Sequence, residues 1–118
     1  FGYGTSCDTG LDYRQATEKD VWIDDPRSDD YNRWITRSPG NYSHEKMKRK
    51  DHLYKYGMVV KYNMNPIVKG KGSAIFIHMW RAPDKPTAGC IAVSEKTIKK
   101  LLAFLDKREQ PVIIMGLL

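Results

Sequence analysis

The chain is poor in cysteine and histidine, with Cys7 and Cys90 as its two thiols and three imidazoles among 118 residues. Two thiols allow at most one disulfide, in an oxidising compartment, and a reactive thiol is the competing use. His44 and His52 lie eight residues apart. On the helix expected there they would sit two turns apart, too far to share an ion, so neither metal nor cofactor is expected. No run approaches the roughly 18 apolar residues of a membrane span. Lys69-Gly70-Lys71-Gly72 is too short for a phosphate cradle of the P-loop type. Internal repeats, low-complexity tracts and linkers are missing. No signal peptide is visible, and the chain opens on Phe1-Gly2-Tyr3-Gly4, which reads as a mature or trimmed form.

What remains is enough for one domain with a single core. The formal net charge is +6, which suits an anionic partner such as nucleic acid, anionic lipid or an acidic envelope polymer. The basic residues do not form one block. Lys46 to Lys50 and the Lys69/Lys71 pair read as a solvated helix face and a loop. No nucleic-acid-binding motif accompanies them, so no nucleic-acid partner is expected. The oligomeric state is left open.

Residues 1–20 read as loop. Val21-Trp22-Ile23 reads as a short strand stopped by Asp24-Asp25-Pro26. These two carboxylates fit a turn better than metal or acid chemistry. Ser28 is expected to cap a short helix through Ile35, and Ser43 a second helix over 44–55, with Met47, Leu53 and Tyr54 inward. Gly57 ends that helix, and residues 58–62 and 73–79 read as strands. In the second strand Ile75, Ile77 and Met79 share one face and Ala74, Phe76 and His78 the other. Both faces are apolar, which makes the strand central. Ser94 should cap a helix over 95–107, with Ile98, Leu101, Leu102 and Leu105 at core spacing. Residues 111–115 read as a buried final strand. The expected class is α+β, mostly β, with a helical insertion in the first half and one helix after Cys90.

The stretch Gly72 to Ser94 carries the chemistry. An apolar strand ends in His78, a Pro-containing loop follows, and Thr87-Ala88-Gly89-Cys90 makes a turn of small residues. A thiol nucleophile needs a base for its proton and a tight turn whose N–H groups can hold an oxyanion. By residue type alone Cys90 also fits an inert buried thiol, and His78 a satisfied core histidine. Gly89 before the thiol, the small neighbours, and the return to apolar residues at Ile91 and Val93 favour the reactive reading. Such a thiol is expected to have a depressed pKa and to be unpaired with Cys7. A different Cys–His hydrolase built on Cys7 is the competing assignment.

His78-Met79-Trp80-Arg81, Pro86-Thr87-Ala88-Gly89-Cys90, the capped helix and the closing run together resemble the L,D-transpeptidase catalytic domain (YkuD-like) family. Asp24-Asp25-Pro26 with Tyr31-Asn32, Tyr56-Gly57, Tyr62-Asn63 and Gly72-Ser73-Ala74-Ile75-Phe76 resemble one branch of it. The resemblance covers most of the chain. It implies a mixed sheet or sandwich, here a single domain over 1–118 lacking its N-terminal strands. It also implies an envelope enzyme, in the periplasm or cell envelope, acting on peptidoglycan stem peptides. Cys90 would attack the L-to-D peptide bond at the third residue of a tetrapeptide stem and release D-alanine. His78 would be the base, and the N–H groups of Gly89 and Cys90 the oxyanion hole. Thr87 and Ala88 would border the substrate and Trp80 would wall the cleft.

The family pattern Ser/Thr-His-Gly-Cys-x-Arg is broken twice, with Ala88 in place of the second histidine and Ala92 in place of the arginine. Arg81 is the substitute cation for the substrate carboxylate, because a guanidinium fork matches a carboxylate. These departures keep a hydrolase on the same scaffold (L,D-carboxypeptidase, amidase or endopeptidase) and a non-catalytic cell-wall-binding module as alternatives.

Overall fold

The computed structural model describes residues 1–117. It holds two three-stranded sheets and one α-helix. The first sheet is centred on β1 (Val21–Ile23), whose three apolar, β-prone residues are all buried. It is flanked antiparallel by β2 (Arg33–Ile35) and β3 (His44–Lys46). The second sheet runs β4 (Gly57–Val59), β5 (Phe76–Met79), β6 (Ile91–Val93), with β5 antiparallel to β4 and parallel to β6. Helix α1 (Glu95–Phe104) starts where the Ser94 side chain accepts the Thr97 N–H at 3.1 Å.

The alternation of β5 separates the two halves of the core. Phe76, fully buried, joins Phe1, Trp22, Met47, Leu53 and Tyr54 on one side. Met79, on the other side, packs with Met58, Ile98 and Leu102, the last two one helical turn apart on α1. The ring of Phe76 meets those of Phe1, Trp22 and Tyr54 edge-on at centroid distances of 5.3, 5.1 and 5.7 Å. That geometry brings positive ring edges to negative faces. Gly57 is required there, since a Cβ on it would lie 2.3 Å from the Phe1 ring.

Both helices expected in the first half are replaced by strands and turns. Ser28 accepts the Asp30 N–H through its hydroxyl and the Tyr31 N–H through its carbonyl, so it closes turns. Asn32 then adopts φ 58°, a left-handed conformation that ends any helix, and the chain leaves as β2. At the expected second helix, Ser43 is held by Asp25 and pairs with Asp24 instead of capping. His44–Lys46 ladders onto β1, and Met47 donates to the Asp20 carbonyl at 3.0 Å. Pairing with a buried strand outweighs the weak helical preference of a charged segment. The helix after Cys90 is shorter than the 95–107 expected: Leu105 is extended and a 3-10 turn covers Lys107–Glu109. Residues 111–115 are irregular and exposed rather than a buried strand, with Ile114 at 94% exposure. Among the described residues no strand lies beside them to pair their backbone.

One buried carboxylate braces the first sheet. Asp20 accepts from the Thr17 N–H at 2.7 Å, the Trp34 indole at 3.0 Å and the Thr36 hydroxyl at 2.6 Å. Burial alone would raise its pKa, but these donors outweigh burial and lower it to about 2. A carboxylate of depressed pKa stabilises the fold above its unfolded pKa, about 3.9. That contribution should vanish as the pH falls from about 4 through about 2, costing about 2 kcal/mol. Urea unfolding across this range should show the loss in the wild type and a shallower slope in Asp20→Asn; equal slopes would refute the assignment.

Candidate active site

The parallel register of β5 and β6 decides which side chains meet. His78 pairs with Ala92, so Ala92 and, two residues earlier, Cys90 share a face with His78 and Phe76. Diagonal neighbours across a sheet lie about 7–8 Å apart, within reach of long side chains. The connection from Trp80 to Cys90 crosses back over this face, because parallel strands cannot be joined by a tight hairpin. His78, Arg81, Thr87, Ala88, Gly89 and Cys90 thereby line one open cavity of about 380 Å³. Trp80 is not among its lining residues, which corrects the expectation that it walls the cleft. Its backbone N–H is held by Val93 at 2.8 Å and its carbonyl by His52 Nε2 at 3.0 Å.

Cys90 is half-buried, and its thiol donates to the Ala74 carbonyl at 3.3 Å. Burial raises the thiol pKa; a backbone hydrogen bond from Phe76 opposes this, and the Glu45 carboxylate adds to it. The resting sulfur is therefore a neutral thiol, not the depressed-pKa thiolate expected from the sequence. Among the described residues no hydrogen bond joins it to His78. His78 is buried, with Nδ1 2.7 Å from the Met79 carbonyl oxygen. A carbonyl only accepts, so Nδ1 carries a proton, and Nε2 makes no hydrogen bond among the described residues. The Tyr54 ring meets the imidazole edge-on at 5.3 Å and fixes its plane.

The turn before the thiol is held by Thr87, whose hydroxyl donates to the Cys90 carbonyl at 2.5 Å and accepts the Gly89 N–H at 3.3 Å. Gly89 has φ 127°, a conformation that side chains rarely adopt, although a Cβ would meet no atom within 4 Å. Glycine is needed for the backbone alone. Arg81 is exposed and makes no ion pair among the described residues.

The first sheet supplies what the sequence did not reveal. Trp22 pairs with Glu45, so Asp24 and Glu45 lie diagonally on the same face, and both line the cavity. Asp25 instead forms the expected turn, accepting the Arg27 and Ser43 N–H groups at 3.0 and 3.1 Å. The alternation of β3 would have exposed the pattern had that segment been read as a strand.

A thiol, an imidazole and a glycine turn thus line one cleft, the groups that a cysteine acyl-transfer site requires. The L,D-transpeptidase catalytic domain family matches residues 4–114, and the chain belongs to it. The family consists of cysteine-dependent enzymes that modify peptidoglycan, and the two β sheets with one helix are compatible with its β-rich fold. No curated protein and no solved structure matches the chain significantly.

A neutral resting thiol makes a reactivity prediction. In a Cys7→Ala background, iodoacetamide should alkylate Cys90 more slowly at pH 7 than it alkylates a cysteine peptide. The rate should climb beyond the ordinary thiol pKa of about 8.5. Fast alkylation with a plateau below pH 7, followed by mass spectrometry, would contradict the assigned state.

Proposed function

We propose that the chain cleaves the L-to-D peptide bond of peptidoglycan tetrapeptide stems through a Cys90 acyl-enzyme. The observation that carries this is the shared face of Cys90 and His78 beneath one cavity, in a chain of this family. His78 Nε2 takes the thiol proton as Sγ bonds to the scissile carbonyl carbon, and the carbonyl π pair moves onto oxygen. Proton transfer during attack suits a thiol that is neutral at rest. The Gly89 N–H, held only at 3.3 Å by Thr87, is free to exchange that contact for the oxyanion, beside the N–H of Cys90. Collapse breaks the C–N bond, and His78 returns the proton to the departing D-alanine nitrogen. A second stem's amine, a D-amino acid or water then attacks the thioester, loses its proton to His78 and regenerates the thiol.

Arg81, unpaired at the mouth, suits the terminal carboxylate of the stem. Thr87 positions the turn, and Ala88 leaves space beside it. Ala92 presents no cation on the reactive face, which favours water as a competing acceptor and keeps L,D-carboxypeptidase activity as the second reading. Because peptidoglycan lies outside the cytoplasmic membrane, the reading places the chain in the periplasm or cell envelope. Among the described residues no helix is long and apolar enough to cross a membrane.

Incubation with disaccharide-tetrapeptide muropeptides should remove or exchange the terminal D-alanine, and Cys90→Ala should abolish this. Product masses separate transfer from hydrolysis. Turnover that survives Cys90→Ala would sink the mechanism, and binding without turnover would leave a cell-wall-binding module. Separately, Arg81→Ala should raise KM and lower kcat/KM about tenfold, the size of one lost charged contact. Unchanged kinetics would remove Arg81 from the site.

A further inference from the structure

The cavity around Cys90 is divided by charge. On the crossover loop, Arg81 and Lys85 line it as cations without ion-pair partners among the described residues. From the first sheet, the carboxyl side chains of Asp24, just past the end of β1, and Glu45, on β3, line it. The one nearby cation on that wall is already engaged. Arg49 makes a 2.9 Å ion pair with Asp51 and stands 3.9 Å from Glu45. Asp24 Oδ1 is buried and has no hydrogen-bond donor among the described residues. A buried carboxylate oxygen without a donor is costly, and native sites supply one. The χ2 torsion of aspartate is broad and two-fold, so either oxygen can turn to the cavity.

We propose that the Asp24–Glu45 wall of the cavity binds a primary ammonium group on the peptide substrate, while the opposite Arg81–Lys85 loop takes its carboxylate. This deepens the stem-peptide reading given above and rests on it for the identity of the peptide. An ammonium donates three hydrogen bonds and can satisfy both carboxylates at once. It also places a positive charge against Glu45, which otherwise disfavours ionisation of the thiol. Binding of the correct peptide then lowers the barrier to proton loss from Cys90, so recognition and activation use the same contact. A neutral peptide of the same shape fills the cavity but leaves Asp24 without a donor and Glu45 with only its distant Arg49 and Tyr54 partners at 3.9 and 3.5 Å.

The test uses the full chain carrying Cys90→Ala and calorimetric titration with three probes. These are L-alanyl-γ-D-glutamyl-L-lysyl-D-alanine, its Nε-acetyl form and its Nα-acetyl form. One acetylated form should bind at least tenfold more weakly than the parent, and the form affected identifies which amine is held. Adding Asp24→Asn and Glu45→Gln should shrink that difference to less than twofold. Equal Kd values for the three probes, no detectable binding of any, or discrimination that survives the double substitution would each overturn the proposal. The acetylation contrast needs no variant on the first sheet, so misfolding of the double variant cannot obscure it. Turnover by the chain with Cys90 intact tests the underlying reading separately. Cleavage of parent and acetylated peptides with equal kcat/KM refutes the ammonium site and leaves the enzyme assignment standing. Discriminating binding without cleavage does the reverse.

Discussion

The side chain of Asn32 is the joint on which both sheets depend. It is 1% exposed, and its amide uses both ends. Oδ1 accepts the Trp22 indole at 3.1 Å and the Ala74 N–H at 3.2 Å, while Nδ2 donates to the carbonyls of Tyr62 and Asn63 at 3.2 and 2.7 Å. One residue thus ties the central strand of the first sheet to both ends of the loop that feeds β5. Inside a protein such a network is strong when complete and costly when broken. Its left-handed backbone is tolerated because asparagine bears that conformation better than most residues.

The same joint reaches the sulfur of Cys90. Ala74, whose N–H Asn32 holds, adopts φ 57° and turns its carbonyl to the Cys90 thiol. The Cys90 thiol is therefore positioned by the first sheet, through Asn32 and Ala74, although Cys90 belongs to the second. The Ser73 hydroxyl adds a parallel link, donating to the Ile23 carbonyl at 3.0 Å. The cavity lies where the sheets meet, so its walls have different origins: a loop of the second sheet and strand faces of the first.

The second half of the fold was legible because its signals are local. The alternation of residues 73–79 gave the central strand, which is shorter than expected: β5 covers Phe76–Met79, and Ala74 at φ 57° breaks the run before it. Ser94 with Ile98 and Leu102 gave α1. The pairing of His78 with a small-residue turn was visible as well, since both sit on one continuous segment. The first half was illegible for a physical reason. Strands β2 and β3 are three residues each, β3 wholly polar, and they exist because β1 offers them backbone partners from another part of the chain. Asp24 and Glu45 share a face only through that pairing, so reading 44–55 as a helix hid their juxtaposition. The apolar 111–115 run failed the opposite way: strong local propensity, but no neighbour to receive it.

Cys7 and Cys90 are both free thiols that pack against different halves of the core, on opposite faces of the second sheet. The sheet between them keeps the pair from closing into a disulfide. A sulfur kept protonated by burial and by a carbonyl also reacts slowly with peroxide, since the thiolate is the form that oxidises. The burial and the carbonyl contact that hold the Cys90 thiol in place therefore double as redox armour, since they keep it in the form that peroxide attacks slowly.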